Sequence, residues 1–188
     1  MFFDTGQGFV PAGSSTMLVL NEETYARVIQ EQVPAAKKFV WILTADVKDL
    51  HVESTRGRFR PFLAVLADLV DRGVYLRLVH AKEPGPRFRS DFDKHPALVE
   101  GELFERVLCP RMHMKVVIVD GRFAYVGSAN LTGAGLGAKS PTRRNFEAGY
   151  TTTHVDEIDR LMEFVDALYL GDHCIGCGRR DTCPEPLA

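Results

Sequence analysis

His113 and Lys115, one residue apart, open the stretch H-M-K-V-V-I-V-D-G-R-F-A-Y-V-G-S-A-N, which runs through Asp120 to the Gly127-Ser128-Ala129-Asn130 turn. A phosphodiester resists attack because its own negative charge repels nucleophiles. A deprotonated, oriented imidazole can attack phosphorus when nearby donors neutralise the phosphate. On an extended backbone residues i and i+2 share a face, so His113 and Lys115 present a nucleophile and an ammonium over one pocket. Asn130 offers a second donor and Ser128 a hydroxyl. Taken singly, each has an ordinary reading: a solvated histidine, a lysine whose stem lies along apolar surface, a turn at Gly127-Ser128. Set together in a strand, turn, strand, loop context, they could instead act as one group on an anionic substrate.

The elements that must position these residues are visible as patterns. Residues 114–119 form the clearest strand, Asp120-Gly121 turns the chain, and 123–126 return as a second strand. Residues 131–144, rich in Gly, Ser, Thr and basic side chains, read as a loop. A last strand follows at 146–152, then an amphipathic helix at 156–170 with Ile158, Leu161, Met162, Val165 and Leu168 apolar. Upstream, Asn21 before Glu22 and Glu23 has the form of a helix N-cap, and that helix should stop at Pro34. Phe39-Val40-Trp41-Ile42-Leu43 reads as a buried strand. A helix over 60–71, Gly73 and a strand over 74–79 come next. Residues 81–92 read as a loop, 97–101 as one helical turn, and 103–108 as a strand.

Helix, glycine, strand in that order marks an α/β unit. The expected fold is therefore α/β, a mixed, mostly parallel β-sheet flanked by helices. The expected division is a lead-in at 1–20, a catalytic domain at 21–170 and a cysteine-rich tail at 171–188.

At 188 residues, 45% hydrophobic, the chain suits one core. No apolar run approaches the roughly 18 residues of a membrane span. The first residues lack a basic, continuously apolar leader, so a cytoplasmic location is the expectation. The net charge of -2 conceals an asymmetry: residues 109–146 carry six basic side chains against one acidic, Asp120. Positive charge around the candidate site suits an anionic substrate.

The tail holds Cys174, Cys177 and Cys183, a C-x2-C pair with a third cysteine six residues on. This is metal-ligand spacing rather than a disulfide scaffold. Cys109, the remaining cysteine, is the expected fourth ligand, with His173 as the alternative. Structural zinc is the first reading, an iron–sulfur cluster the second, and free thiols in a loose tail the third.

The spacing H-x-K-x4-D-x6-G-S-x-N resembles, at every defining position, the HKD signature of the phospholipase D superfamily. The resemblance covers roughly residues 21–170 and implies a phospholipase D-like sandwich with one HKD motif per chain. It implies that His113 is the nucleophile that forms a phosphohistidine. Lys115 and Asn130 are then phosphate donors, and Ser128 is a further contact. Glu147 resembles the downstream acid that orients the histidine, and Asp120 the motif aspartate, with a structural role. Arg111, Arg143 and Arg144 would make outer contacts to a polymeric anion. Because the reaction uses two histidines and no second H-x-K is present, a homodimer is expected, with no metal needed for catalysis.

The compact single-motif form is most similar to the bacterial nuclease branch. That implies a metal-independent phosphodiesterase acting on DNA or RNA. A phospholipase or phosphatidyl transferase acting on lipid, and a catalytically silent nucleic-acid-binding or defence-complex subunit, are the alternatives. Short members with a cysteine-bearing tail occur in anti-phage defence systems, which extends the expectation to antiviral defence and to other defence-system proteins as partners.

Overall fold

The computed structural model describes residues 13–48, 50–55 and 57–187. The chain begins with β1 (Thr16–Leu20), then α1 (Glu22–Thr24), which continues as a π-helix (Tyr25–Gln32). Next come β2 (Phe39–Thr44), the hairpin β3 (His51–Thr55) and β4 (Arg58–Pro61), α2 (Phe62–Asp71) and β5 (Tyr75–His80). The short helices α3 (Pro86–Phe92) and α4 (Pro96–Val99) lead to β6 (Phe104–Leu108). β7 (Val116–Val119), β8 (Phe123–Gly127), β9 (Ala148–Thr152) and α5 (Val155–Tyr169) complete the domain.

β2 and β7 are the strands whose side chains are almost all buried, which only a strand covered on both faces requires. They lie side by side in a seven-stranded sheet of order β1-β9-β8-β7-β2-β5-β6. One face packs Val28 and Ile29 of the π-helix and Leu63, Leu66 and Leu69 of α2 against Val40, Ile42, Leu76 and Leu78. The other packs Ile158 and Val165 of α5 against Trp41, Leu43, Val116 and Ile118.

The sheet corrects the expectation of mostly parallel pairing. Only β2–β5 and β5–β6 are parallel. The pairs β1–β9, β9–β8, β8–β7 and β7–β2 are antiparallel. The helix–glycine–strand pattern occurs at α2, Gly73 and β5 and again at α4, Gly101 and β6, and no crossover helix separates the strands after β6. Without crossovers, consecutive strands pair antiparallel.

Other boundaries also moved. The strand β1 lies inside the expected lead-in, whose residues 1–12 fall outside the described ones. The β3–β4 hairpin was not anticipated, and α3 occupies part of the expected loop at 81–92. Asn21 makes no side-chain cap; its Oδ1 instead accepts from the backbone N–H of Glu147 at 3.1 Å. The π-helix ends at Gln32, two residues before Pro34.

One connection positions the candidate site. β6 lies at the sheet edge, yet the next strand, β7, pairs with β2 three positions inward. Residues 109–115 must therefore pass over the ends of β5 and β2, a span of about 14 Å at roughly 4.8 Å per strand. His113 and Lys115 ride on this crossing.

Candidate active site

The register places Leu43 opposite Val116 and Val126 opposite Val116. The C-terminal ends of β2, β5, β6 and β8 and the N-terminal ends of β7 and β9 thus share one end of the sheet. Ligands of α/β sheets gather at the carboxyl ends of parallel strands, and His113, Lys115 and Asn130 lie at this end too.

His113 and Lys115 lie in the extended segment just before β7 rather than within it. His113 is exposed and Lys115 is buried. The Lys115 Nζ donates to the His113 carbonyl at 2.7 Å and lies 3.3 and 3.4 Å from the two nitrogens of its ring. The His113 imidazole and the Lys115 ammonium are held together.

Downstream, the backbone N–H of Gly127 donates to the Lys115 carbonyl at 3.0 Å, tying the H-x-K segment to the Gly-Ser-Ala-Asn turn. Tyr125 is buried beneath that turn, and its hydroxyl accepts from the Ala129 N–H. A Cβ on Gly127 would strike that hydroxyl, so the position requires glycine. The Asn130 Oδ1 accepts from the Asp46 N–H (3.2 Å) and lies 3.4 Å from Thr44 Oγ1. With its oxygen occupied, the amide NH₂ of Asn130 is the end left to donate, as a phosphate contact requires.

Glu147 binds elsewhere than expected. Ser128 Oγ donates to its Oε2 and Asn145 Nδ2 to its Oε1 (3.1 Å), and no hydrogen bond joins it to His113. Asp120 sits at the far end of β7. Its carboxylate accepts from the backbone N–H groups of Lys37, Lys38 and Phe39 and pairs with Arg122. Burial alone would raise its pKa, but these donors and Arg122 outweigh it and hold the carboxyl below its usual value.

The arginines divide. Arg111 is exposed beside His113, and its guanidinium reaches Cys177 Sγ at 3.8 Å. Arg144 is committed to Glu22 at 3.0 Å, whereas Arg143 remains exposed and touches only Ser140. The expected loop at 131–144 is packed rather than loose, because residues 131–133 and 135–137 are buried. Its basic side chains therefore do not form one continuous exposed stripe.

Two residues escaped the sequence reading. Thr44, buried at the end of β2, donates to the Asp46 carbonyl and accepts from the Leu131 N–H, so it fixes the loop that carries Asn130. His80, fully buried at the end of β5, faces the Lys82 carbonyl through Nδ1 and accepts from Arg106 Nε through Nε2. Burial, reinforced by Arg106, pushes its pKa down to about 4. A polar residue closing an apolar parallel strand was the available signal for both.

His113 lines two hollows. An open cleft of about 750 Å³ runs over Ala45 and Ala81, bordered by Arg111, His113 and Arg179. A second cavity, about 350 Å³, lies between Phe164 of α5, His113 and the tail, and all four cysteines and His173 line it. The Arg179 N–H and the Arg111 guanidinium face Cys177 and hold its thiol below the usual range. Among the described residues no three His, Cys, Asp or Glu side chains converge closely enough to hold a metal as they stand.

A family profile described as cardiolipin synthase, PLD-like domain, matches residues 29–169. No curated protein matches the chain significantly. Among solved structures, NucT from Helicobacter pylori is similar, with a TM-score of 0.58 at 14% identity over 80% of this chain and 92% of that one. The phospholipase D family member Nuc from Salmonella typhimurium gives 0.57 at 18%, over 80% and 91%. Phosphatidylserine synthase from Haemophilus influenzae gives 0.55 at 16%, over 81% of this chain and 37% of that one. At these identities the likeness establishes the fold.

Proposed function

The chain belongs to the family of phospholipase D-like domains, and on that premise we propose that it hydrolyses a nucleic-acid backbone through His113, in a site completed by a second copy of the chain. The observation that carries this reading is the exposed His113 ring against the Lys115 Nζ, at the border of a cleft flanked by Arg111 and Arg179. A ring nitrogen of His113 attacks phosphorus and a P–N bond forms as the P–O bond to the leaving nucleoside breaks. His113 of the partner subunit gives that oxygen its proton. The same partner imidazole then takes a proton from water, whose oxygen attacks phosphorus as the P–N bond breaks and His113 is restored. Lys115 and Asn130 bear the phosphoryl charge throughout.

A nucleic-acid backbone fits the charge at this end of the sheet. Besides the two cleft arginines, exposed Lys48 and Lys82 flank Asp46, whose N–H holds Asn130. A second copy fits the uncovered sheet face. Where α5 covers β7, β2 and β5, the same face over β8, β9 and β1 leaves Val126, Tyr150, Leu18 and Leu20 about half exposed. This apolar strip runs up to Gly127 and Ala148 at the site end. A cytoplasmic protein acting on foreign nucleic acid beside defence partners is the setting this reading suits. Among the described residues no helix is long and apolar enough to cross a membrane.

The test is cleavage of labelled single- and double-stranded DNA, RNA and phosphatidylcholine vesicles in chelating buffer, beside His113→Ala. Cleavage of at least one nucleic acid is expected, with a loss of at least about 10³-fold in the variant. Turnover of the vesicles alone would move the reading to lipid. Turnover of none would favour a binding subunit.

A further inference from the structure

The tail after α5 is tied to the residues around Cys109 by three separate bonds. Glu185 Oε2 accepts from the Leu108 N–H at 2.7 Å, Arg179 donates to the Pro110 carbonyl, and Arg111 reaches Cys177 Sγ. These contacts bracket Cys109 and draw it to the tail across more than sixty residues of sequence. The chain has four cysteines; all four are free, half-buried and on the wall of the same 350 Å³ cavity.

We propose that Cys109, Cys174, Cys177 and Cys183 bind one zinc ion as a closed tetrathiolate site that fastens the tail over the crossing segment. The local backbone suits this. The Cys177 N–H turns back onto the Cys174 carbonyl at 3.2 Å, and Gly176 between them takes a φ of 73°, so the C-x2-C pair forms a tight knuckle. The Cys183 N–H closes a further turn on Arg180. The Arg179 N–H and the Arg111 guanidinium already point at Cys177 sulfur, as partners of a ligating thiolate do. No three of these side chains converge closely enough to hold a metal as they stand, so binding requires the thiols to turn inward to Zn–S distances of about 2.3 Å.

A tetrathiolate leaves no open position for water, so the ion holds structure and takes no part in phosphoryl transfer. His173 lies tilted against Phe164, 5.7 Å between ring centroids, and adjoins Cys174, which leaves Cys109 the better-placed fourth ligand. The ion would set Arg179, which lies between Cys177 and Cys183, against Pro110 at the cleft. This assignment does not depend on which phosphodiester is cleaved.

The full chain, purified without chelator, should carry one equivalent of zinc by elemental analysis and show no visible absorbance. Cys109→Ser and Cys174→Ser should each lose it, and His173→Ala should retain it. Iron with acid-labile sulfide, no bound metal, or zinc lost from His173→Ala but kept by Cys109→Ser would each overturn the assignment. Should the cysteine variants fail to fold, the wild-type chain still decides. After chelation and addition of Co²⁺, the intense visible band of a tetrahedral thiolate complex should appear. A thiol reagent should find four shielded sulfurs before chelation and four reactive ones after. Equal reactivity in both states, or disulfides in the native chain by mass, would refute the site.

Discussion

His80 closes β5 with no solvent exposure, one ring nitrogen on the Lys82 carbonyl and the other on Arg106. That geometry needs the neutral ring, and its pKa falls from 6.5 to about 4. The unfolded chain therefore binds the extra proton between those values. Stability is fully present above pH 6.5 and falls as the pH drops toward 4, by about 2 kcal/mol at pH 5. Urea unfolding at pH 7 and pH 5 should show this loss in the wild type and a flatter response in His80→Gln; equal slopes would clear His80 of the effect. At this scale the HKD residues were legible because their spacing along the chain is itself the signal. Thr44 and His80 were not, since each matters only through the strands that topology sets beside it. The partner of Glu147 was equally hidden: Ser128 lies nineteen residues away and meets it only once β8 and β9 pair.

Individual strands were readable from runs of apolar residues; their direction was not. The run in β2 states burial on both faces, and burial on both faces occurs beside parallel and antiparallel neighbours alike. The Asp120-Gly121 turn was a stronger cue. Both residues take positive φ, 55° and 67°, within the three-residue connection that joins Val119 to Phe123. Asp120 does more than turn the chain: it clasps the β7–β8 hairpin to the start of β2 through three backbone N–H groups. Asp120→Ala orphans those donors and should cost on the order of 3 kcal/mol in chemical denaturation. Because the folded pKa is depressed, the Asp120 contribution is present above the unfolded carboxylate pKa and is lost as the pH falls through the folded one. A wild-type-like midpoint for the alanine variant at neutral pH would show that the clasp is redundant.

For the whole molecule, a single H-x-K predicts stoichiometry that can be read from mixtures. When wild type and His113→Ala are co-expressed, one shared site with two required histidines makes every mixed dimer inactive. Activity should then follow the square of the wild-type fraction; a linear decline would mean that each chain works alone. Tyr150→Glu, on the uncovered face beside Val126 and Leu18, should shift the chain toward monomer in sedimentation and lower specific activity with it. The lone motif was plain in the sequence. The face was not, because Leu18 lies in what resembled a lead-in and becomes part of a surface only when β1 joins β9.

That pairing has a consequence for the order in which the sheet is completed. β1 docks on β9 with Leu20 opposite Ala148, and Asn21 and Glu147 exchange hydrogen bonds beside it. Contacts so distant in sequence form late. A nascent chain that has already exposed His113 to the ribosome's surroundings still lacks the strand that closes the sheet and engages Ser128. The site end of the sheet is therefore completed only after residues 147–152 have emerged.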